Sequence, residues 1–145
     1  MKRILLFLLL ILIISNCKKD NEKEVLNPCD CPKERNCTLE LDFVVINIKN
    51  QNSQPISLDE YYTIRISNGE KIISKDFGLD SLRRAWGAYP VISDREKETI
   101  EKCGTDFEFT GIKNGIEIVK QRYTIGHDCC HVKILSGKPD IIVQD

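Results

Sequence analysis

The chain has 145 residues, 30% of them charged, and a formal net charge of −1 at neutral pH. That length supplies one domain with one core, and 21 basic against 22 acidic residues leaves no basic field for a nucleic acid. Seven cysteines and only two histidines make the compartment, and hence the state of the sulfur, the first question.

The N-terminus answers part of it. Lys2 and Arg3 precede an unbroken apolar run from Ile4 to Ile14. As a helix that run rises about 16 Å, roughly half of a hydrocarbon core about 30 Å thick. It is too short to span and suits a signal-peptide h-region. It ends at Ile14-Ser15-Asn16-Cys17, which resembles a bacterial lipobox, with Asn16 where Gly or Ala is commoner. The resemblance implies removal of residues 1–16, diacylation of the Cys17 thiol by palmitate-class chains, and an acylated amine. Each buried methylene contributes about 0.8 kcal/mol, so more than one chain gives stable attachment. Lys18 to Pro28, "KKDNEKEVLNP", is too polar to fold alone. Fully extended it reaches about 36–40 Å. Its Lys-Lys-Asp start resembles the export signal of surface-displayed lipoproteins, which implies an outer-membrane address on either the periplasmic face or the cell surface. The expected organisation is a signal peptide (1–16), a lipidated cysteine and charged tether with a cysteine cluster (17–36), and a β-domain (37–145).

Within the domain the apolar period is mostly two. "TLELDFVV" predicts a half-buried strand with Leu39, Leu41, Phe43 and Val45 inward. From Val44 the other face turns apolar too, through Ile46 and Ile48, which predicts a bulge or burial on both sides. Residues 50–55 read as a turn or loop. Two β-rich runs flank Asn68-Gly69, which predicts a hairpin with a type I′ turn. Residues 82–91, "LRRAWGAYPV", have weak strand character. They concentrate Arg83, Arg84, Trp86 and Tyr89, residue types enriched at binding hot spots, as a candidate binding patch. Trp86, the only tryptophan, is expected to plug one end of the sandwich, the contact role being the alternative. "SDREKETIEKCG" carries a capping box in Ser93 and Glu96 and predicts a short exposed helix or ordered loop. Phe107, Phe109 and Gly111 share one face of a second hairpin arm that turns at Asn114-Gly115. Two more short strands surround Ser136-Gly137. About seven strands joined by turns make an all-β, single antiparallel sandwich.

"VINIKNQNSQPISLDEYYTI" and "GTDFEFTGI" resemble the transthyretin-like, or carboxypeptidase-regulatory-like, β-sandwich over residues 39–125. The family's usual Asp-Gly in the first turn is replaced here by Asn50-Gln51-Asn52-Ser53. The resemblance implies a fold and a habit of mediating binding, with no shared catalytic residues. The whole chain also resembles small bacterial lipoproteins that join a lipobox, a charged tether and a β-domain.

With Cys17 lipidated, Cys29, Cys31, Cys37, Cys103, Cys129 and Cys130 remain, an even number that reads as three disulfides in an oxidising compartment. Adjacent Cys129 and Cys130 should fasten different partners, at least one of them from the Cys29/Cys31/Cys37 cluster. Such a bond closes a loop of about a hundred residues, worth up to roughly 4–5 kcal/mol in the chain-entropy picture. The alternative is a zinc site built from His127, Cys129, Cys130 and His131. Its spacing departs from the Cys-x2–4-Cys and His-x3–5-His patterns that wrap one tetrahedral ion. Nothing in the sequence matches a phosphate-cradling glycine loop or a His-Glu-x-x-His helix, and Asp59-Glu60 reads as a solvated loop. The expected function is non-catalytic. It is a binding or structural envelope domain with no cofactor, attached to a membrane through its lipid, with an unknown protein or glycan partner.

Overall fold

Alternating apolar side chains pair the strands into two sheets whose inner faces meet. The computed structural model describes residues 27–74 and 78–144. The signal segment, Cys17 and the start of the tether lie outside them. Among the described residues eight strands follow in chain order: β1 (Phe43–Asn50), β2 (Glu60–Arg65), β3 (Lys71–Ile72), β4 (Ala88–Ser93), β5 (Thr105–Lys113), β6 (Ile116–His127), β7 (Val132–Ser136) and β8 (Asp140–Val143). One sheet has the order β3-β2-β5-β6-β7 and the other β4-β1-β8. The result is an all-β, disulfide-stapled sandwich. Its pairings are antiparallel except β1 with β8, which is parallel because the chain crosses from one sheet to the other after β7. That crossing is pinned where Tyr123 Oη donates to the Lys138 carbonyl (2.9 Å) and Asn47 N donates to the Pro139 carbonyl (2.7 Å).

The core lies between the sheets. Ile46, Ile48, Val91 and Ile92 come from the smaller sheet, and Phe107, Phe109, Tyr123 and Ile125 from the larger. Tyr61 meets Tyr89 edge-on at 5.1 Å and stacks near Phe109 at 6.1 Å. The Tyr89 hydroxyl donates to the Ile56 carbonyl (2.8 Å) and accepts from Leu58 N–H (2.7 Å), so a buried phenol satisfies the loop before β2.

The two Asn-Gly turns differ. At Asn114-Gly115 both residues have positive φ (52° and 74°), which the two-residue type I′ turn between β5 and β6 requires. At Asn68-Gly69 only Gly69 does (73°). That hairpin closes through Arg65 N–H to the Glu70 carbonyl and is a four-residue loop instead. Phe107, Phe109 and Gly111 are buried together, as their spacing predicts.

The first strand corrects the sequence reading. Leu39 and Leu41 are exposed and outside any strand, and the buried face of β1 is Val44, Ile46 and Ile48. The cause is the partner. β4 ends at Ser93 opposite Phe43, where the chain turns into a 3-10 helix (Asp94–Thr99), so residues before Phe43 have no strand beside them. The expected bulge sits between Val44 and Val45. In the 3-10 helix the Ser93–Glu96 capping box is formed, and Ile100 beyond it is buried. A short helix that the sequence reading lacks, α1 (Asp80–Ala85), is held by the Asp80–Arg84 pair one turn apart (3.0 Å) and ends at Gly87, whose φ of +65° suits the left-handed stop.

Tyr89→Phe removes the partner of both the Ile56 carbonyl and the Leu58 N–H inside the core. A loss of about 1–3 kcal/mol is expected, read from urea midpoints under non-reducing conditions.

Candidate functional site

The chemistry-bearing residues gather at one end of the sandwich, where β5 starts, β6 stops and β7 begins. Between the last two, Asp128 folds a tight turn. Its Oδ1 accepts from Cys130 N–H (2.9 Å) and His131 N–H (2.8 Å), and its own N–H donates to the His131 carbonyl (3.1 Å). Those N–H groups hold the Asp128 carboxyl below the usual carboxylate range. Cys129 sits in the turn with φ +82°. Cys129 bonds Cys31 and Cys130 bonds Cys37, with Cα–Cα separations of 5.7 and 5.3 Å, and Cys29 bonds Cys103 at 5.1 Å. Both adjacent cysteines thus take different partners, and both partners come from the N-terminal cluster. Lys102 Nζ adds a bond to the Asp30 carbonyl (2.7 Å) along the same leader.

The two histidines have separate tasks. His127 Nδ1 accepts from Cys129 N–H (3.1 Å), and Nε2, the protonated nitrogen that this leaves, donates to the Ile100 carbonyl (3.1 Å). His127 Nδ1 also lies 4.0 Å from Cys31 Sγ. His131 lies between Asp94 and Thr38, with Nδ1 2.7 Å from Asp94 Oδ2 and Nε2 2.8 Å from Thr38 Oγ1. Asp94 also accepts from Asp42 N–H (2.9 Å) and Val132 N–H (2.8 Å). One carboxylate therefore joins the leader, the 3-10 helix and the start of β7. Burial alone would push the Asp94 carboxyl up, but the bonds from His131, Asp42 and Val132 outweigh it and hold it low. The bond to Asp94 raises His131; desolvation opposes it, and the charges of Asp94, Asp128 and Asp42 add to the upward shift.

The four residues of the alternative zinc site do not come together as one ligand group. Among the described residues, the group of metal-ligand type whose donor atoms lie within 4.8 Å of one another is Cys31, His127 and Cys129, and two of those sulfurs are bonded together. The candidate binding patch also disperses. Tyr89 is buried in the core. Arg84 faces inward: Nε donates to Asp80 (3.0 Å), the guanidinium reaches the Leu58 and Asp59 carbonyls, and its carbon lies 5.4 Å from the Tyr61 ring centre. Arg83 lies 4.9 Å over Phe43. Trp86 does not plug the sandwich. It is 62% exposed at the C-cap of α1, and Tyr61, Tyr89 and Phe109 supply the aromatic packing of the core instead. Asp59 is not idle at its strand start, since its Oδ2 accepts from Asn114 N–H (2.6 Å) at the type I′ turn.

The Thr38–His131–Asp94 chain is absent from the sequence reading. Its members lie 56 and 37 residues apart along the chain, and the signal that joins them is the Cys37–Cys130 bond, which sets the next residue of each arm side by side. Comparison of the chain with protein-family models, with curated proteins and with solved structures returned no match.

Because folding raises the His131 value, its stabilising contribution is full below about pH 6.5 and is lost as pH rises through the higher folded value. Asp94 behaves oppositely, contributing fully above about pH 4 and losing its part as pH falls through its depressed folded value. The stability difference between the native protein and His131→Ala should therefore be largest between about pH 4 and 6.5 and shrink above that window. Urea midpoints across pH measure it, and a flat difference would contradict the assignment.

Proposed function

We propose that this chain is a lipoprotein of the cell envelope, held on the outer membrane through acylated Cys17 and acting as a non-catalytic binding or structural β-domain. The observation that carries the reading is the pairing of sulfur. Three disulfides consume Cys29, Cys31, Cys37, Cys103, Cys129 and Cys130, and the one cysteine left over is the residue that closes the lipobox-like run. Disulfides of this kind persist in oxidising compartments. The resemblance to the transthyretin-like sandwich belongs to the same proposal. It is supported by the two facing sheets and by the Phe107, Phe109 and Gly111 face of β5. The zinc alternative is weakened by the commitment of Cys129 and Cys130 to Cys31 and Cys37, and of His131 to Asp94 and Thr38.

The experiment is intact-mass analysis of membrane-extracted protein, with and without reduction and alkylation. The expected result is a chain beginning at Cys17 that carries acyl mass and takes up six alkyl groups only after reduction. Cys17→Ser should leave the detergent phase for the aqueous one. A Cys17→Ser protein that stays with membranes would defeat the anchoring claim.

A second reading has its own observation. The order carboxylate, imidazole, hydroxyl in Asp94–His131–Thr38 is the order by which a nucleophile is activated for acyl transfer. A fluorophosphonate probe separates the two. The non-catalytic reading expects no adduct, whereas an adduct on Thr38 that survives Thr38→Ser and vanishes in Thr38→Ala would establish the second.

A further inference from the structure

Surface helices of globular proteins turn their apolar side toward the core and their charges toward water. In α1 the arrangement is inverted. Its charged residues grip the domain: Asp80 accepts from the Tyr61 hydroxyl (2.8 Å), Arg84 reaches the Leu58 and Asp59 carbonyls, and Arg83 lies over Phe43. Leu79 at its N-cap, Leu82 within it and Trp86 at its C-cap follow one another at intervals of three and four, which places them on one side. They are 43%, 46% and 62% exposed. No residue of the helix is buried.

We propose that this face rests in the headgroup region of the bilayer to which the chain is tethered. The inference rests on the lipid-anchored reading above. An indole, apolar over most of its surface with one N–H donor, suits that boundary between oil and water. The length of chain outside the described residues identifies the occupant. Nine residues separate Cys17 from Asn27, and they span at most about 30–32 Å. A membrane is therefore always within reach of the domain, and three apolar side chains suffice because tethering makes the second contact effectively intramolecular. A second copy of the chain fits less well, since a stable protein interface takes about 800 Å² from each partner, far more than three partly exposed side chains on a helix of six residues offer.

The tether is long enough for this placement. The leader joins the sandwich at Cys29–Cys103, beside the start of β5. The C-terminal end of α1 lies toward the opposite end, where the Gly87 carbonyl accepts from Ile48 N–H near the close of β1 (2.7 Å). β1 alone is about 26 Å long. The tether, at about 30–32 Å, exceeds that length, so the Trp86 face reaches the bilayer whether the tether root lies on the surface or one strand length above it.

Trp86 is the only tryptophan, so the lipidated, full-length protein reports on itself. It is reconstituted in phosphatidylcholine–phosphatidylglycerol vesicles, with and without brominated acyl chains, and co-flotation is scored beside fluorescence. The expected result is co-flotation, strong quenching of Trp86 by brominated lipid and weak quenching by aqueous acrylamide. Leu79→Ser combined with Leu82→Ser should reverse that order while leaving the disulfides intact. Co-flotation with Trp86 open to acrylamide and untouched by brominated lipid would overturn the inference and leave the anchor standing. Shielding from both quenchers would also overturn it, by showing protein rather than lipid on this face. Failure to co-float would defeat the anchored reading itself, and the inference with it.

Discussion

Each of the three disulfides runs from the leader between Cys29 and Cys37 to the same end of the sandwich, at Cys103 or at the Cys129-Cys130 pair. The bonds close separations of 74, 98 and 93 residues. In the chain-entropy picture a loop near that length is worth about 4–5 kcal/mol, which is comparable with the whole stability of a small domain. The three overlap and do not add. A leader with almost no apolar content of its own is fixed to the domain by these bonds, and the Cys37–Cys130 bond sets Thr38 beside His131 at the outer end of the polar clasp around Asp94.

That clasp is local and electrostatic, whereas the core is not. Val44, Ile46 and Ile48 face Phe107, Phe109 and Tyr123 across the sheets without help from the leader. The molecule therefore has two kinds of order. Apolar burial sets the strand register through the middle and far end. Sulfur and hydrogen bonds, with burial of Ile100, Ile125 and Val132 beneath them, organise the near end. The near end is where a change of redox state or pH would act first.

Several elements were legible from residues alone because a local rule governs them. Asn114-Gly115 supplies the positive φ that its turn demands, and Ser93 with Glu96 caps whatever helix follows. Cysteine parity was legible for a different reason, since counting the six cysteines beyond Cys17 requires no geometry. What failed was non-local. Leu39 and Leu41 continue the alternation of β1 perfectly well, but the opposite strand has ended and no partner remains. α1 spans less than two turns, and its inverted faces misdirect any reading that puts apolar residues inside. Tyr89 looked like a neighbour of Trp86 because three positions separate them, yet one is core and the other surface. Thr38, Asp94 and His131 could be joined only after the disulfide connectivity was known.

The pairing of the sulfurs is the central claim, and non-reducing peptide mapping by mass spectrometry tests it most directly. After alkylation and proteolysis without reductant, the account predicts linked peptides for Cys29–Cys103, Cys31–Cys129 and Cys37–Cys130, with Cys17 recovered only in an acylated peptide. Alkylated Cys31 or Cys129, or any peptide joining Cys17 to one of the other six, would contradict it.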